Sequence, residues 1–435
     1  MAGTGRLLPK AWGLGTLHPM NFQAPEGTRD ITPDQVVLWN RLEKTARETF
    51  TRFGYEEVRT PIFEYTALFH KSSGETTDIV EKEMFTFGDP EDKKGTYSLR
   101  PELTPGTIRA LIEQGLFAKK NFWKVWYLGP AFRKERPQKG RYRQFTQIGV
   151  EAVGSPDPLV DAETMVLFAE ILKAVGVAAW ELRINSIGCK ECRPAYREAL
   201  KEYLRPKLST LDENCQRRFE RNVFRILDCK VDADKLKDAP KAVDHLCQNC
   251  KTHMAVVEKA LQACGVPYRV DPRIVRGLDY YTRTVYEFSS SALGAQNALA
   301  GGGRYDTLVG SMGGPDVGSV GFAAGVERIL LAMGGDAAPP APDFYAIAAG
   351  EVAREEVFKT VVALRRAGLS GDLDFEARSV KAQMRSANKS GARYALFIGP
   401  DEAAKGAVKL KDMKDGVEQT VPLDEAVRKL QGGNP

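Results

Sequence analysis

Six of the eleven residues from 133 to 143 are Lys or Arg (Arg133, Lys134, Arg136, Lys139, Arg141 and Arg143), against the single acid Glu135. This segment carries as much net positive charge as the entire 435-residue chain, which is formally +5. Such density makes an anion site. Basic runs are commonly solvated faces, but these cations are interleaved with Pro137, Gly140 and Tyr142. They lead into an alternation of Arg143, Phe145 and Gln147 against Gln144, Thr146 and Ile148, and that period of 2 predicts a strand. One face would present a cation, an aromatic ring and an amide in a row. That suits a nucleotide, with phosphate on guanidinium forks, a base stacked on Phe145 and a neutral polar group beside them.

Other segments carry chemistry more sparsely. Glu102 and Thr104 fall in a strand-to-helix turn ahead of a helix predicted from near Gly106, where side chains and amides point into a cleft; helix capping by Thr104 is the simpler alternative. Arg276 precedes Gly277, Tyr280, Tyr281 and an alternating strand. Alone, Arg276 reads as a surface charge, but Gly277 argues for close backbone approach to a ligand. Residues 301–306 (Gly301, Gly302, Gly303, Arg304, Tyr305, Asp306) are glycine-rich, yet neither G-x-G-x-x-G nor G-x-x-x-x-G-K-[ST] occurs there. Residues 317–331 read as a small-residue strand turning directly into a helix, with Arg328 in its first turn.

Seven Cys without a secretory signal fit a reducing compartment. Cys189-x-x-Cys192 and Cys247-x-x-Cys250 resemble the halves of a four-thiolate zinc knuckle. However, about 54 residues separate the pairs, beyond ordinary ribbon spacing, and their neighbours are not knuckle-like turns. The expectation is therefore reduced thiols, no structural zinc and no resident metal site. None of His18, His70, His245 and His253 lies in a cleft motif.

The elements that must position these groups follow from length and periodicity. The chain suggests roughly two to four domains; its 43% hydrophobic and 27% charged content is that of a globular protein. No run approaches the ~20 apolar residues of a membrane span. Residues 1–19 read as a disordered extension or a misassigned start. A helix is predicted over 33–53 with Gly54 as its stop. Residues 55–63 read as a strand that Pro61 confines to a sheet edge or subunit boundary, which with the helix could form a dimer seam. A helix over 158–175, a strand over 181–185 and a helical insertion over about 187–268 follow. The catalytic domain is expected over 20–336, a linker over 337–342, and a domain of alternating strands and helices over 343–435.

Together these segments resemble the class II aminoacyl-tRNA synthetases, and within them the histidine-specific members, over about residues 21–435. Residues 59–63 with the preceding helix are similar to motif 1, 133–151 to motif 2 and 321–331 to motif 3. Arg276 to Tyr281, and Arg133 to Phe145 with Gly301 to Asp306, carry the histidine-specific likeness. The resemblance implies an α+β fold: an antiparallel sheet flanked by helices, a helical insertion and a C-terminal α/β anticodon-binding domain. It implies ATP-dependent ligation of L-histidine to tRNA(His) through a histidyl-adenylate, releasing AMP and pyrophosphate. The missing nucleotide loops and the absence of HIGH- or KMSKS-like segments agree. The alternative is a regulatory paralogue that binds histidine without charging tRNA. Such proteins typically lose the arginine–tyrosine segment or the C-terminal domain, and both are present here.

By the same resemblance, Arg133 and Arg276 are the catalytic pair flanking the α-phosphate. ATP meets Arg133, Phe145 and Arg328. The histidine-binding set is Glu102, Leu103, Thr104, Arg133, Gln147, Glu151, Arg276, Tyr280 and Tyr281, with Glu151 and Tyr281 at the imidazole. Arg136, Gln138 and Arg141 would meet the tRNA acceptor end. Mg²⁺ would accompany ATP, and the protein would be a cytoplasmic homodimer without a membrane partner. One departure concerns Leu103 and Pro105, where the resemblance leads one to expect Gly and Ala.

Overall fold

The computed structural model describes residues 22–73, 77, 79–88, 95–229, 231–274, 280–294, 297–335, 339–349 and 353–432. Two units divide the chain, Met1–Ala337 and Ala338–Pro435. Among its described residues the first unit forms β1 (Glu56–Glu57), β2 (Phe63–Tyr65), β3 (Thr86–Phe87), β4 (Tyr97–Leu99), β5 (Trp123–Phe132), β6 (Gln144–Val153), β7 (Glu181–Ser186), β8 (Arg269–Val270), β9 (Thr282–Ser289), β10 (Ala298–Arg304) and β11 (Ser319–Gly325). Eight of these make one sheet in the order β1-β5-β6-β11-β10-β9-β7-β8. Neighbours from β5 through to β7 are antiparallel, and β1 and β8 add parallel edges. The expected antiparallel sheet is therefore present, with parallel strands at both rims.

Alternation decides which face of this sheet is core. On β6, Ile148, Val150 and Ala152 enter the main apolar cluster, as do Val320, Phe322 and Ala324 of β11. The same cluster takes Trp39, Leu42, Ala46 and Phe50 from the helix Pro33–Arg52, and Met165, Phe168, Ala169 and Leu172 from the helix Pro158–Val175. These residues recur every three or four positions, so each helix lays one stripe on the sheet. The second helix starts and stops as its sequence dictates: Asp157 accepts the Leu159 N–H at 2.9 Å, Pro158 follows it, and Gly176 closes at φ +88°. The odd-numbered face of β6, with Phe145, Gln147 and Glu151, is left for a site.

The strand expected over 55–63 is shorter than that. Only Glu56 and Glu57 pair, at the edge of the large sheet, and Phe63–Tyr65 belongs to a separate sheet ordered β2-β4-β3. Pro61 lacks the ladder N–H, and the Thr60 and Pro61 carbonyls are taken instead by the Arg100 guanidinium at 2.9 and 3.1 Å. The helix expected from near Gly106 begins two residues earlier, as Thr104–Glu113, with Leu103 as N-cap and no side-chain cap bond.

Within the insertion, the helices Arg193–Leu204 and Glu213–Arg221 build a small core of their own around Leu200, Cys215, Phe219 and Ile226. Its last helix, Gln248–Ala263, returns Met254, Val257 and Leu261 to the main core. The second unit has β12 (Phe344–Ala348), β13 (Gly371–Leu373), β14 (Tyr394–Ile398), β15 (Ala407–Asp412) and β16 (Glu418–Pro422), in the order β13-β12-β14-β15-β16. The helices Ala353–Arg366, Val380–Ser390 and Leu423–Leu430 accompany this sheet.

Candidate active site

The site face of β6 opens into a cavity of about 290 Å³. Its deepest charged group is Glu151, 1% exposed. The Tyr127 hydroxyl of β5 donates to Glu151 at 3.1 Å, and the Tyr305 hydroxyl donates to its other oxygen. Cross-strand register makes this arrangement possible. Glu151 faces Gly321 and Tyr127 faces Gly149; a Cβ on Gly321 would lie 2.0 Å from the Glu151 carboxylate, and one on Gly149 2.5 Å from the Tyr127 hydroxyl. The glycines are where a carboxylate and a phenol must lie flat on neighbouring backbone.

Burial pushes the Glu151 carboxyl up to about 7, against opposing hydrogen bonds from Thr104, Tyr305 and Tyr127, with nearby Glu102 adding to the rise. Burial and the adjacent Glu151 hold the Tyr127 and Tyr305 phenols well above their usual range, so both remain donors. Thr104 Oγ1 lies 3.3 Å from the Tyr127 hydroxyl. The Tyr280 hydroxyl donates to buried Glu102 at 3.3 Å, and its ring packs against Tyr281 and Tyr305. Gln147 is fixed by the Leu103 N–H, which donates to its Oε1 at 2.9 Å.

Nearer the start of β6, the Arg133 guanidinium lies 5.3 Å above the Phe145 ring, and Arg133 Nε donates to the Pro101 carbonyl at 2.9 Å. Arg328 is held by the Ala298 carbonyl at 2.5 Å. Burial, with the like charge of Arg141, lowers its pKa from the usual guanidinium range. Its neighbour Glu327 accepts the Thr146 N–H at 2.8 Å, and burial raises that carboxyl to about 7. Arg141 pairs with Glu135 at 3.2 Å and closes a tight bridge with Gln138.

Glu102, Thr104, Arg133, Arg141, Phe145, Gln147, Glu151, Tyr280, Tyr281 and Arg328 thus line one cavity. Arg136 and Gln138 do not line it, and Arg276 lies outside the described residues. Two expectations change. Arg143 is not the cation of the row: its backbone N–H goes to the Gly27 carbonyl at 2.7 Å and its guanidinium to Glu26, while Arg133 occupies that place. Leu103 does not face the cavity; its side chain packs with Tyr127 and Ala131, and only its amide serves the site. The two Cys pairs, whose separation in the chain exceeds ordinary zinc-ribbon spacing, are brought together by the fold.

Sequence reasoning missed Tyr127 and left Tyr305 without a role. Tyr127 had one signal, its place on the alternating stretch Val125, Tyr127, Gly129 that runs antiparallel to β6. It also left Arg304 and His253 unassigned. Arg304 is fully buried and grips Asp161 at 2.7 Å, Asp306 at 2.9 Å and the Ser155 and Asp157 carbonyls at 3.1 Å, while His253 meets Asp161 at 2.7 Å. This network ties β10 to the helix Pro158–Val175 behind the cavity.

A family model described as histidyl-tRNA synthetase matches residues 27–329, and one described as anticodon binding domain matches 343–432. The histidine–tRNA ligase of Geobacter metallireducens is 47% identical over 401 residues, 92% of this chain and 97% of that protein. That of Halothermothrix orenii is 45% identical over 419 residues, 95% of this chain and 99% of its own. The crystal structure of apo Staphylococcus aureus histidyl-tRNA synthetase superposes with a TM-score of 0.80 at 33% identity, covering 94% of this chain and all of that one.

Proposed function

The chain belongs to the histidyl-tRNA synthetase family and aminoacylates tRNA with histidine, and on that premise we propose how the cavity performs the reaction. The observation that carries the reading is the single face of β6, where Phe145, Gln147 and Glu151 point into one cavity. The six residue steps from Phe145 to Glu151 span about 20 Å of strand, enough for adenine at Phe145, the α-phosphate beside Arg133 and an imidazole at Glu151.

Histidine's carboxylate oxygen attacks the α-phosphorus, forming the acyl–phosphate bond as the bond to pyrophosphate breaks. The nucleophile is already ionised, so the step needs positioning and charge neutralisation more than a general base. Arg133, with Arg276 assigned opposite it by family resemblance, supplies positive charge. Arg328 stacks near the adenine and meets the γ-phosphate. Glu102, Thr104 and Gln147 hold the α-amino group. Glu151 accepts an imidazole N–H while Tyr127 and Tyr305 satisfy its remaining oxygen sites; Tyr280 and Tyr281 wall the ring. An amino acid without that donor would leave a buried carboxylate short of a partner, and this is the basis of selectivity.

Mg²⁺ binds through one or two carboxylates plus substrate phosphates rather than a protein cage. The cavity-lining Glu83 and Glu135 fit that requirement, and the ion would neutralise phosphate charge. Arg136, Gln138 and Arg141 would receive the acceptor end of tRNA(His), and the second unit the anticodon. Exposed Ile62, Phe63, Tyr65 and Phe87 form an apolar patch about the small sheet, which supports a homodimer seam there. Seven free thiols support a reducing, cytoplasmic setting; no helix among the described residues is long and apolar enough to cross a membrane.

Pyrophosphate exchange with two variants tests the division of labour. Phe145→Ala removes stacking of about 1–3 kcal/mol and should raise the ATP KM about 5- to 150-fold without moving that of histidine. Tyr305→Phe should do the reverse. If both variants move the same substrate's KM, the assignment fails.

A further inference from the structure

The fold closes a long gap in the chain at one point. Cys189 and Cys192 lie just after β7, while Cys247 and Cys250 open the helix Gln248–Ala263, with 54 residues between the pairs. Their sulfurs nevertheless meet: Cys189–Cys192 at 3.6 Å, Cys189–Cys247 at 3.8 Å, Cys192–Cys247 at 3.9 Å and Cys192–Cys250 at 3.7 Å. All four lie within 4.8 Å of one another, and no disulfide joins them. A tetrahedral zinc with arms of about 2.3 Å requires sulfur–sulfur edges of about 3.8 Å. The four separations scatter around that edge.

The surroundings suit thiolates. Cys192 is the N-cap of the helix Arg193–Leu204 and Cys247 that of Gln248–Ala263, so two helix N-termini of positive potential converge on the sulfurs. The Cys189 N–H points at Cys192 Sγ, 3.1 Å away, an orienting bond of the kind that supports metal ligands. Gly188 has φ +73°, and a Cβ there would sit 2.8 Å from Cys192 Sγ; only glycine lets the chain turn this close to the sulfur. We propose that Cys189, Cys192, Cys247 and Cys250 bind a structural Zn²⁺ that clips shut the base of the helical insertion. The separation that argued against a knuckle is the insertion itself, and a cross-link across so long a loop gains the most from closure.

The clip also adjoins the histidine pocket. The Ile187 N–H donates to the Arg283 carbonyl at 2.8 Å, the Arg283 N–H to the Gly188 carbonyl at 2.9 Å, and Arg193 to the Tyr281 carbonyl at 3.2 Å. Zinc binding releases the thiol protons to solvent and fixes the start of β9, to which Tyr281 leads.

The full chain, purified under reduction without chelator or added metal, should carry about one zinc per chain by mass spectrometry. Cys189→Ser and Cys250→Ser should each lower it below about a tenth of an equivalent, while Cys264→Ser, at an exposed site, and Cys229→Ser, in the separate cluster with Cys215 and Asp232, should retain it. X-ray absorption on the unmutated chain reads the site without relying on variants that fold, and should show sulfur-only coordination at about 2.3 Å. Oxygen or nitrogen in the first shell, zinc lost through Cys229→Ser but not Cys250→Ser, or a reduced wild-type chain that stays metal-free after incubation with zinc would each overturn the proposal.

Discussion

Replacing Glu151 by Gln should stabilise the empty enzyme and cripple it. Burial raises this carboxyl from its ordinary 4.5 to about 7. Each pKa unit corresponds to 1.36 kcal/mol, so keeping the group ionised inside the fold costs about 3 kcal/mol. Because the folded pKa is raised, the native state holds the proton more tightly than the unfolded chain. Stability is therefore full below about 4.5, falls as pH rises towards about 7, and levels off above it. Gln keeps the shape, carries no charge, and can both accept from one flanking tyrosine and donate to the other. At pH 8 the variant should resist denaturant better by up to about 3 kcal/mol, and the advantage should shrink towards pH 5. Catalysis should move the other way. A hydrogen bond to a charged group contributes about 1.5–3 kcal/mol, so kcat/KM for histidine should fall about 10- to 150-fold. The assay pairs denaturant unfolding of the first unit at several pH values with histidine-dependent exchange. A variant that is less stable at pH 8, or one with wild-type histidine kinetics, would refute the reasoning.

Asp161→Asn should leave the fully buried Arg304 guanidinium short of its main counter-charge and cost about 3–5 kcal/mol in denaturant unfolding; an unchanged midpoint would show that the pair contributes nothing. Arg276→Ala should slow single-turnover adenylate formation about 10²- to 10³-fold while leaving circular dichroism and melting unchanged, and wild-type rates would displace the residue from its assigned role.

What could be read in advance depended on whether a residue's role is fixed by its immediate neighbours. β6 was legible because period 2 assigns Phe145 and Gln147 to one face whatever the strand packs on, while Glu151, on the same face, was named only through the family resemblance. Gly54 marked a helix end for a similarly local reason, with φ of +76°. Choosing Arg143 as the cation failed because that depends on hairpin register: the Arg133 N–H bonds the Arg143 carbonyl at 2.9 Å, and only one of the two turns inward. Tyr127 and Tyr305 meet Glu151 from a different strand and from beyond β10, through contacts 24 and 154 residues apart. His253 reaches Asp161 because the insertion's last helix returns to the main core. The closeness of the two cysteine pairs was not legible because linear spacing cannot show that a helical insertion begins and ends at one place.

The central claim is that this cavity activates histidine and excludes other amino acids by the polar set around Glu151. Pyrophosphate exchange measured with each of the twenty amino acids in turn tests it most directly. Histidine should support exchange, and amino acids lacking an imidazole should fall below it by about 10⁴ in kcat/KM. No exchange with histidine, or comparable exchange with another amino acid, would contradict the account.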